Sequence, residues 1–130
     1  MTNQELIAKA KEAMTKAYAP YSHFQVGAAL LAKDGRVFTG CNVENATYGA
    51  TICAERTAVT KAVSEGVREF EKIAIVASSG DYAAPCGICR QVLFEFMPEG
   101  KVVLWSELEG EKEFVLTELL PFGFRGEDIK

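Results

Sequence analysis

Residues 72–77 read Lys-Ile-Ala-Ile-Val-Ala, a short and mostly apolar run that includes three β-branched residues. Such a run is typical of a strand that is buried within a sheet. A helical pattern precedes it over residues 53–65, and Gly66 stands where a glycine commonly ends a helix. Another helical pattern follows over residues 86–97. The order helix, strand, helix predicts an α/β fold in which helices pack on the faces of a sheet.

A β-hairpin is predicted on the N-terminal side of this unit. Apolar residues alternate over residues 24–32, Asp34-Gly35 is a strong signal for a two-residue turn, and residues 36–41 return as the second strand. The hairpin pairing has to be antiparallel, whereas strands separated by helices favour parallel pairing. The sheet is therefore predicted to be mixed.

The remaining segments extend this sheet and add a helix. Apolar residues recur at helical spacing from the N-terminus to Ala17, and Pro20 is predicted to end that helix. Residues 102–105 and 113–116 are predicted as further strands. We expect a three-layer α/β/α architecture, with a mixed sheet of about five strands and helices on both sides. Residues 1–130 are predicted to form a single domain, since the chain is too short for two ordinary ones.

Composition disfavours several classes of function. Apolar residues make up 48% of the chain and charged residues 25%, which suits a domain with a buried core. The 14 basic and 18 acidic residues give a net charge of −4, so broad electrostatic binding to nucleic acid is not expected. The longest apolar stretch, Val26–Ala32, is too short to span a bilayer, so no membrane partner is expected. The N-terminus lacks the pattern of a secretory signal, and we expect a cytoplasmic protein.

The four cysteines suggest a metal site. In a reducing compartment cysteines are more often metal ligands, catalytic groups or buried apolar residues than disulfides. Cys53 precedes one predicted helix and the pair Cys86 and Cys89 opens another, so a crossover would bring both helix starts to one edge of the sheet. Three thiolates could bind one Zn²⁺ and leave an open catalytic position. Cys41 lies in a predicted strand and is interpreted as a buried thiol rather than a fourth ligand.

Two charged residues follow the first of these cysteines. A carboxylate close to a zinc-activated water can act as general base and then as general acid, which is the role we expect for Glu55. Three thiolates leave a zinc site with excess negative charge. We expect the Arg56 guanidinium to hydrogen-bond a thiolate and offset part of that charge.

Two short motifs together match the signature of zinc-dependent nucleobase deaminases. They are Cys53-x-Glu55 and Pro85-Cys86-x-x-Cys89, the variant with three cysteines. The chain around them resembles the small homotetrameric cytidine deaminases, a family of zinc-dependent nucleoside deaminases in pyrimidine salvage. The resemblance extends from the N-terminal helix to about Phe124. It is carried by the runs at residues 24–30, 40–46, 53–58 and 86–91.

The resemblance implies a fold, a reaction and a set of roles. The fold would be cytidine-deaminase-like, and the enzyme would hydrolyse cytidine and 2′-deoxycytidine to the corresponding uridines and ammonia. One Zn²⁺ per subunit would be bound by Cys53, Cys86 and Cys89, while Glu55 would protonate N3 of the ring and then the leaving amine. The enzyme would be a homotetramer with active sites shared between subunits.

The resemblance also implies how a nucleoside would be bound. The contacts expected within one chain are packing of Phe24 on the base and sugar, the Ala54 N–H on the ring carbonyl, and Asn42 and Glu44 on the ribose 3′-hydroxyl. The contacts expected from neighbouring subunits are Ala46, Tyr48 and Phe124. Glu44 would repel a phosphate, so nucleosides are expected to be preferred over nucleotides.

Three other functions remain open from the residues. Four cysteine ligands would make a closed, structural zinc site in a non-catalytic interaction domain. An editing deaminase acting on polynucleotides shares the motif, although the acidic balance speaks against it. A deaminase of a cytosine-containing nucleoside antibiotic such as blasticidin S is the third, and the run at residues 42–46 favours the nucleoside enzyme instead.

Overall fold

The strand over Phe70–Ala77 lies at the centre of the fold, between two strands on either side. The computed structural model describes residues 1–129 and contains one five-stranded sheet over that range. The strands are β1 (Val26–Ala32), β2 (Val37–Cys41), β3 (Phe70–Ala77), β4 (Lys101–Ser106) and β5 (Gly110–Val115). The α-helices are α1 (Asn3–Met14), α2 (Ala54–Ser64), α3 (Gly87–Phe96) and α4 (Leu116–Leu119), with short 3₁₀ helices at Tyr48–Ala50 and Gly126–Ile129. Within residues 1–129, none of the helices combines the length and the apolar character needed to cross a bilayer.

The strands follow the order β2-β1-β3-β4-β5, and their pairing is mixed. β3 and β4 are parallel, because α3 connects them as a crossover helix. β1 is antiparallel to both β2 and β3, and β4 is antiparallel to β5. The turn between β1 and β2 contains Gly35 at a φ of 96°, a conformation that glycine adopts without steric cost. The predicted mixed sheet of about five strands is confirmed.

Helices cover both faces of the sheet, which confirms the three-layer architecture. On one face, α1 contributes Leu6, Ile7 and Ala10 to a core shared with β1, β3 and β4. On the other face, α2 and α3 pack against a larger core that includes Phe70 and Ile73. Because both faces are covered, β1 is buried almost along its whole length. The alternation of buried and exposed residues predicted for this strand is therefore wrong.

Two glycines allow helices to approach the sheet very closely. A Cβ atom at Gly27 would lie 2.0 Å from the Ala10 carbonyl oxygen of α1. A Cβ atom at Gly40 would lie 2.5 Å from the Ala54 carbonyl oxygen and 2.6 Å from the Ala58 nitrogen of α2. Backbone atoms cannot yield as a flexible side chain can. Gly40 therefore fixes how near the first turns of α2 come to the sheet.

The N-terminal helix begins where the sequence indicates but ends early. The Thr2 hydroxyl accepts from the Glu5 N–H at 3.1 Å, and the Glu5 carboxylate accepts from the Thr2 N–H at 3.0 Å, a complete capping box. The helix ends at Met14, so its predicted continuation to Ala17 is wrong. The next residues leave the helix because the Tyr18 N–H donates to the Asn42 carbonyl at 3.0 Å, which draws the chain alongside the loop after β2.

Candidate active site

Two helix N-termini meet at the candidate site. Cys53 is the N-cap residue of α2 and Cys86 is the N-cap residue of α3, while Cys89 lies in the first turn of α3. The Cys86 Sγ accepts from the Cys89 N–H at 3.5 Å, and the two Sγ atoms are 3.4 Å apart. Helix N-termini stabilise negative charge, and the pKa of the Cys53 thiol, at one of them, is lowered towards the thiolate form that binds metals.

The three sulfur atoms form a set that fits a zinc ion. The Sγ atoms of Cys53, Cys86 and Cys89 all lie within 4.8 Å of one another. Tetrahedral zinc with Zn–S bonds of about 2.3 Å needs sulfurs roughly 3.8 Å apart, which small side-chain adjustments would give here. Within the described residues, the half-buried Cys41 is outside this group, as predicted, although its thiol is less buried than expected.

Arg56 lies against the sulfur cluster. Its Nη2 donates to the Cys53 Sγ at 3.5 Å and to the Thr51 carbonyl at 3.3 Å. Hydrogen bonds from the Cys89 thiol and from Arg56 lower the pKa of the Cys53 thiol to about 5, although burial opposes them. The pKa of Cys89 is raised, because its thiol donates to Cys53 and because it is buried. The guanidinium is thus placed where it offsets negative charge on sulfur.

Glu55 is a buried carboxyl beside the cysteines. It lies in the first turn of α2, two residues after Cys53, and is only 5% exposed. Burial raises the pKa of the Glu55 carboxyl, because an apolar environment disfavours the charged form. A carboxyl with a raised pKa can both accept and release a proton under mild conditions.

A cavity of about 270 Å³ opens onto these groups. Its lining contains seven residues that the sequence singled out, namely Phe24, Asn42, Glu44, Cys53, Ala54, Glu55 and Cys86. It also contains residues that sequence reasoning missed: Ser22, Val26, Thr51, Ile75, Ala83 and Ala84. Ala83 and Ala84 could have been predicted as cavity residues, because they are small, directly precede Pro85 and would leave space for a substrate next to the sulfur cluster. Val26 and Ile75 gave no such signal, since they are typical strand residues.

Asn42 joins the cavity to the start of β1. Its Oδ1 accepts from the Val26 N–H at 2.9 Å, and its Nδ2 donates to the Phe24 carbonyl at 2.8 Å. A side-chain amide has two donor hydrogens and two acceptor lone pairs, so half of its capacity remains for a ligand. Asn42 therefore holds the Phe24 backbone in place and still has a donor and an acceptor to offer.

Glu44 is held by the loop that precedes Phe24. Its Oε1 accepts from the N–H groups of Tyr21 and Ser22, at 3.0 and 3.1 Å, and its Oε2 accepts from the Ser22 hydroxyl. These hydrogen bonds, that of the Ser22 hydroxyl above all, lower the pKa of the Glu44 carboxyl. The carboxylate therefore stays ionised at neutral pH and acts as a hydrogen-bond acceptor.

Three predicted contact residues lie outside this cavity, and one of them, Tyr48, lines an adjoining hollow together with Ser22, Glu44 and Thr51. Within residues 1–129 of one chain, the cavity lining does not include Ala46, Tyr48 or Phe124. Tyr48 is 74% exposed and its ring lies 5.6 Å from that of Tyr21, while Phe124 is 53% exposed. These positions are compatible with contacts to another copy of the chain, and their roles stay predictions.

The fold and the site define a class: an α/β protein in which three cysteines and a buried glutamate, at two helix N-termini, form a site suited to zinc. Residues 1–105 match the model of the cytidine and deoxycytidylate deaminase zinc-binding region. The cytidine deaminase from Sporosarcina psychrophila is 49% identical to this chain, over 99% of this chain and 96% of its own length. The cytidine deaminase from Halalkalibacterium halodurans is 52% identical, over 99% of this chain and 98% of its own length. The crystal structure of cytidine deaminase from Burkholderia pseudomallei is similar with a TM-score of 0.90 and 50% identity, covering 95% of this chain and all of that one. The chain belongs to the cytidine and deoxycytidylate deaminase family.

Proposed function

We propose that this protein hydrolyses cytidine and 2′-deoxycytidine to uridine and 2′-deoxyuridine, with release of ammonia, as a step of pyrimidine salvage. The observation that carries the proposal is the cluster of three cysteine sulfurs beside a cavity that Cys53, Cys86 and the buried Glu55 line. Relatives of about 50% identity over nearly the whole chain, named cytidine deaminases, support it.

Cys53, Cys86 and Cys89 would hold one zinc ion per subunit. The ion would supply Lewis acidity that lowers the pKa of a water molecule at the site. Arg56 donates to the Cys53 sulfur and so would reduce the electron density that the thiolates give to a bound metal. Without that hydrogen bond, three thiolates would leave the centre too electron-rich to acidify water well.

Glu55 would move the protons. As general base it takes a proton from the water that attacks C4 of the ring, and it passes this proton to N3. It would then take the proton of the new C4 hydroxyl and, as general acid, give it to the amino group, which leaves as ammonia while the C4 carbonyl forms. Its burial suits both steps, because a raised carboxyl pKa lies nearer to the working pH than that of an exposed glutamate.

The rest of the cavity would orient the nucleoside. The Ala54 N–H lies in the first turn of α2, where backbone donors have no partner within the helix, and would bind the ring carbonyl O2. Phe24 would pack on the base and sugar, and Asn42 and Glu44 would bind the ribose 3′-hydroxyl. The ionised Glu44 would repel a phosphate, which favours nucleosides over nucleotides.

The working enzyme would be a homotetramer in the cytoplasm. Tyr48, Phe122 and Phe124 are large side chains that one chain leaves exposed, and burial against neighbouring subunits would remove them from water. In that assembly Ala46, Tyr48 and Phe124 would complete the site of a neighbour. None of the four cysteines is in a disulfide, which fits a reducing compartment.

Deamination can be followed directly on the purified protein. Cytidine and 2′-deoxycytidine should be converted to the uridines with stoichiometric ammonia, and a zinc chelator should abolish the reaction until zinc is restored. Cytidine 5′-monophosphate serves as the comparison substrate and should react far more slowly. Absence of uridine from zinc-loaded protein, or turnover that persists after zinc has been removed, would contradict the proposal.

A further inference from the structure

The Ser22 hydroxyl is hydrogen-bonded to two residues of the cavity. It donates to the Glu44 Oε2 and accepts from the Phe24 N–H at 3.1 Å. All three residues line the cavity beside the sulfur cluster. The hydroxyl therefore joins the residue expected to pack on the base to the residue expected to bind the sugar.

Most of the hydrogen-bonding capacity of the Glu44 carboxylate is already used by the loop at Tyr21 and Ser22. An ionised carboxylate has about four acceptor positions, of which the Tyr21 N–H, the Ser22 N–H and the Ser22 hydroxyl occupy three. Both oxygens are held, so the side chain cannot rotate freely. What remains is about one acceptor position, in a fixed direction.

From this geometry we propose that Ser22 is a positioning residue for sugar recognition, which fixes Glu44 so that its free acceptor position selects a nucleoside with a 3′-hydroxyl. The inference rests on the proposed function. Ser22 would act through Glu44 rather than on the reacting atoms. A hydroxyl that donates to a carboxylate is well suited to this, because a charge-assisted hydrogen bond is about twice as strong as a neutral one.

The backbone conformation of the loop around His23 supports a positioning role for the Ser22 hydroxyl. His23, between Ser22 and Phe24, has a φ of 58°, in the left-handed region that non-glycine residues seldom adopt. The His23 N–H donates to the Ala19 carbonyl at 3.0 Å, which closes the loop. This backbone reversal places the Ser22 hydroxyl between its two partners.

The test uses three variants of the full chain. Ser22→Ala removes the hydroxyl, and Ser22→Thr keeps a hydroxyl at this exposed position. Ser64→Ala is the matched control, because Ser64 is also exposed and also donates its hydroxyl in a hydrogen bond, to the Lys61 carbonyl at the far end of α2. Each variant is assayed with cytidine and with 2′,3′-dideoxycytidine, which lacks the 3′-hydroxyl.

With cytidine, Ser22→Ala should lose roughly tenfold in kcat/KM, mainly through KM, because it loosens one hydrogen bond to a charged group. With 2′,3′-dideoxycytidine the same variant should lose clearly less than with cytidine, since that substrate has no 3′-hydroxyl to recognise and only the hydrogen bond to the Phe24 N–H still matters. Ser22→Thr should recover most of the loss, and Ser64→Ala should change neither substrate.

Two results would overturn the inference. One is an equal loss on both substrates, which would make Ser22 a purely structural loop residue. The other is an unchanged kcat/KM for cytidine in Ser22→Ala. The proposed function fails separately, because it requires the unaltered protein to deaminate cytidine whatever Ser22 does.

Discussion

Replacing Gly40 with alanine tests how the first turns of α2 are positioned. Gly40 lies in β2, and the added Cβ atom would meet only backbone of α2 at its closest contacts, 2.5 Å from the Ala54 oxygen and 2.6 Å from the Ala58 nitrogen. The helix has to move away, because a backbone oxygen cannot rotate aside. The same turns of α2 contain Glu55 and follow directly on Cys53.

The size of the movement follows from the contact distances. To reach the 3.4 Å at which ordinary contact begins, the Ala54 oxygen has to retreat by roughly 0.9 Å. Zinc–ligand distances tolerate only about ±0.2 Å, and a displacement of about 1 Å at a catalytic group can cost on the order of 100-fold in rate. We expect Gly40→Ala to lose about 1–3 kcal/mol of stability. We expect its kcat/KM to fall by about 100-fold, with reduced zinc content.

Gly27→Ala is the matched comparison, because it creates the same kind of clash with α1 on the opposite face of the sheet. Its Cβ atom would lie 2.0 Å from the Ala10 oxygen, so its loss of stability should be at least as large. Zinc content, Tm and kcat/KM per folded molecule should be measured for both variants. A Gly40→Ala protein with normal zinc content and rate would show that Gly40 does not position the first turns of α2. A Gly27→Ala protein whose folded fraction loses as much activity would show that the effect is not specific to α2.

Further substitutions probe the roles of single side chains. Glu55→Gln should keep zinc and nucleoside binding while kcat falls by about 10²- to 10⁴-fold, and retained turnover would exclude the proton-transfer role. Cys86→Ala should contain no zinc, as measured by mass spectrometry, and should have a lower Tm. Cys41→Ser should keep its zinc. Loss of metal from Cys41→Ser would indicate a closed, structural site with four cysteine ligands. Arg56→Ala should weaken zinc binding or activity by roughly 10- to 100-fold in a metal titration and a rate assay, and unchanged values in both would mean that its hydrogen bond to sulfur is incidental.

Local sequence signals were enough for most of the fold. The Asp34-Gly35 turn set the hairpin, and the helical patterns around β3 set the crossover, because both depend on neighbours in the chain. Two predictions about the fold were wrong for the same reason. The end of α1 and the burial of β1 depend on distant segments, through the hydrogen bond from Tyr18 to Asn42 and through helices that cover both faces of the sheet.

Some residues of the candidate site could likewise be predicted from local sequence, and others could not. The cysteines and Glu55 could be predicted from the sequence, because residues two or three positions apart at the start of a helix lie close together in space. Ser22 could not be found, because its link to Glu44 spans 22 residues and becomes visible only when the two loops are folded together. A serine hydroxyl that accepts from the N–H two residues later is a common turn pattern, so the sequence hinted at the loop but not at its role.

X-ray absorption at the zinc edge of the full protein identifies the atoms that bind the metal. We expect one zinc per chain with three sulfur neighbours at about 2.3 Å and one oxygen or nitrogen neighbour at about 2.0 Å, the fourth position being open to water or substrate. Adding a cytidine analogue should change the light-atom neighbour and leave the three sulfurs as they were. Four sulfur neighbours, or none, would rule out a catalytic zinc held by Cys53, Cys86 and Cys89.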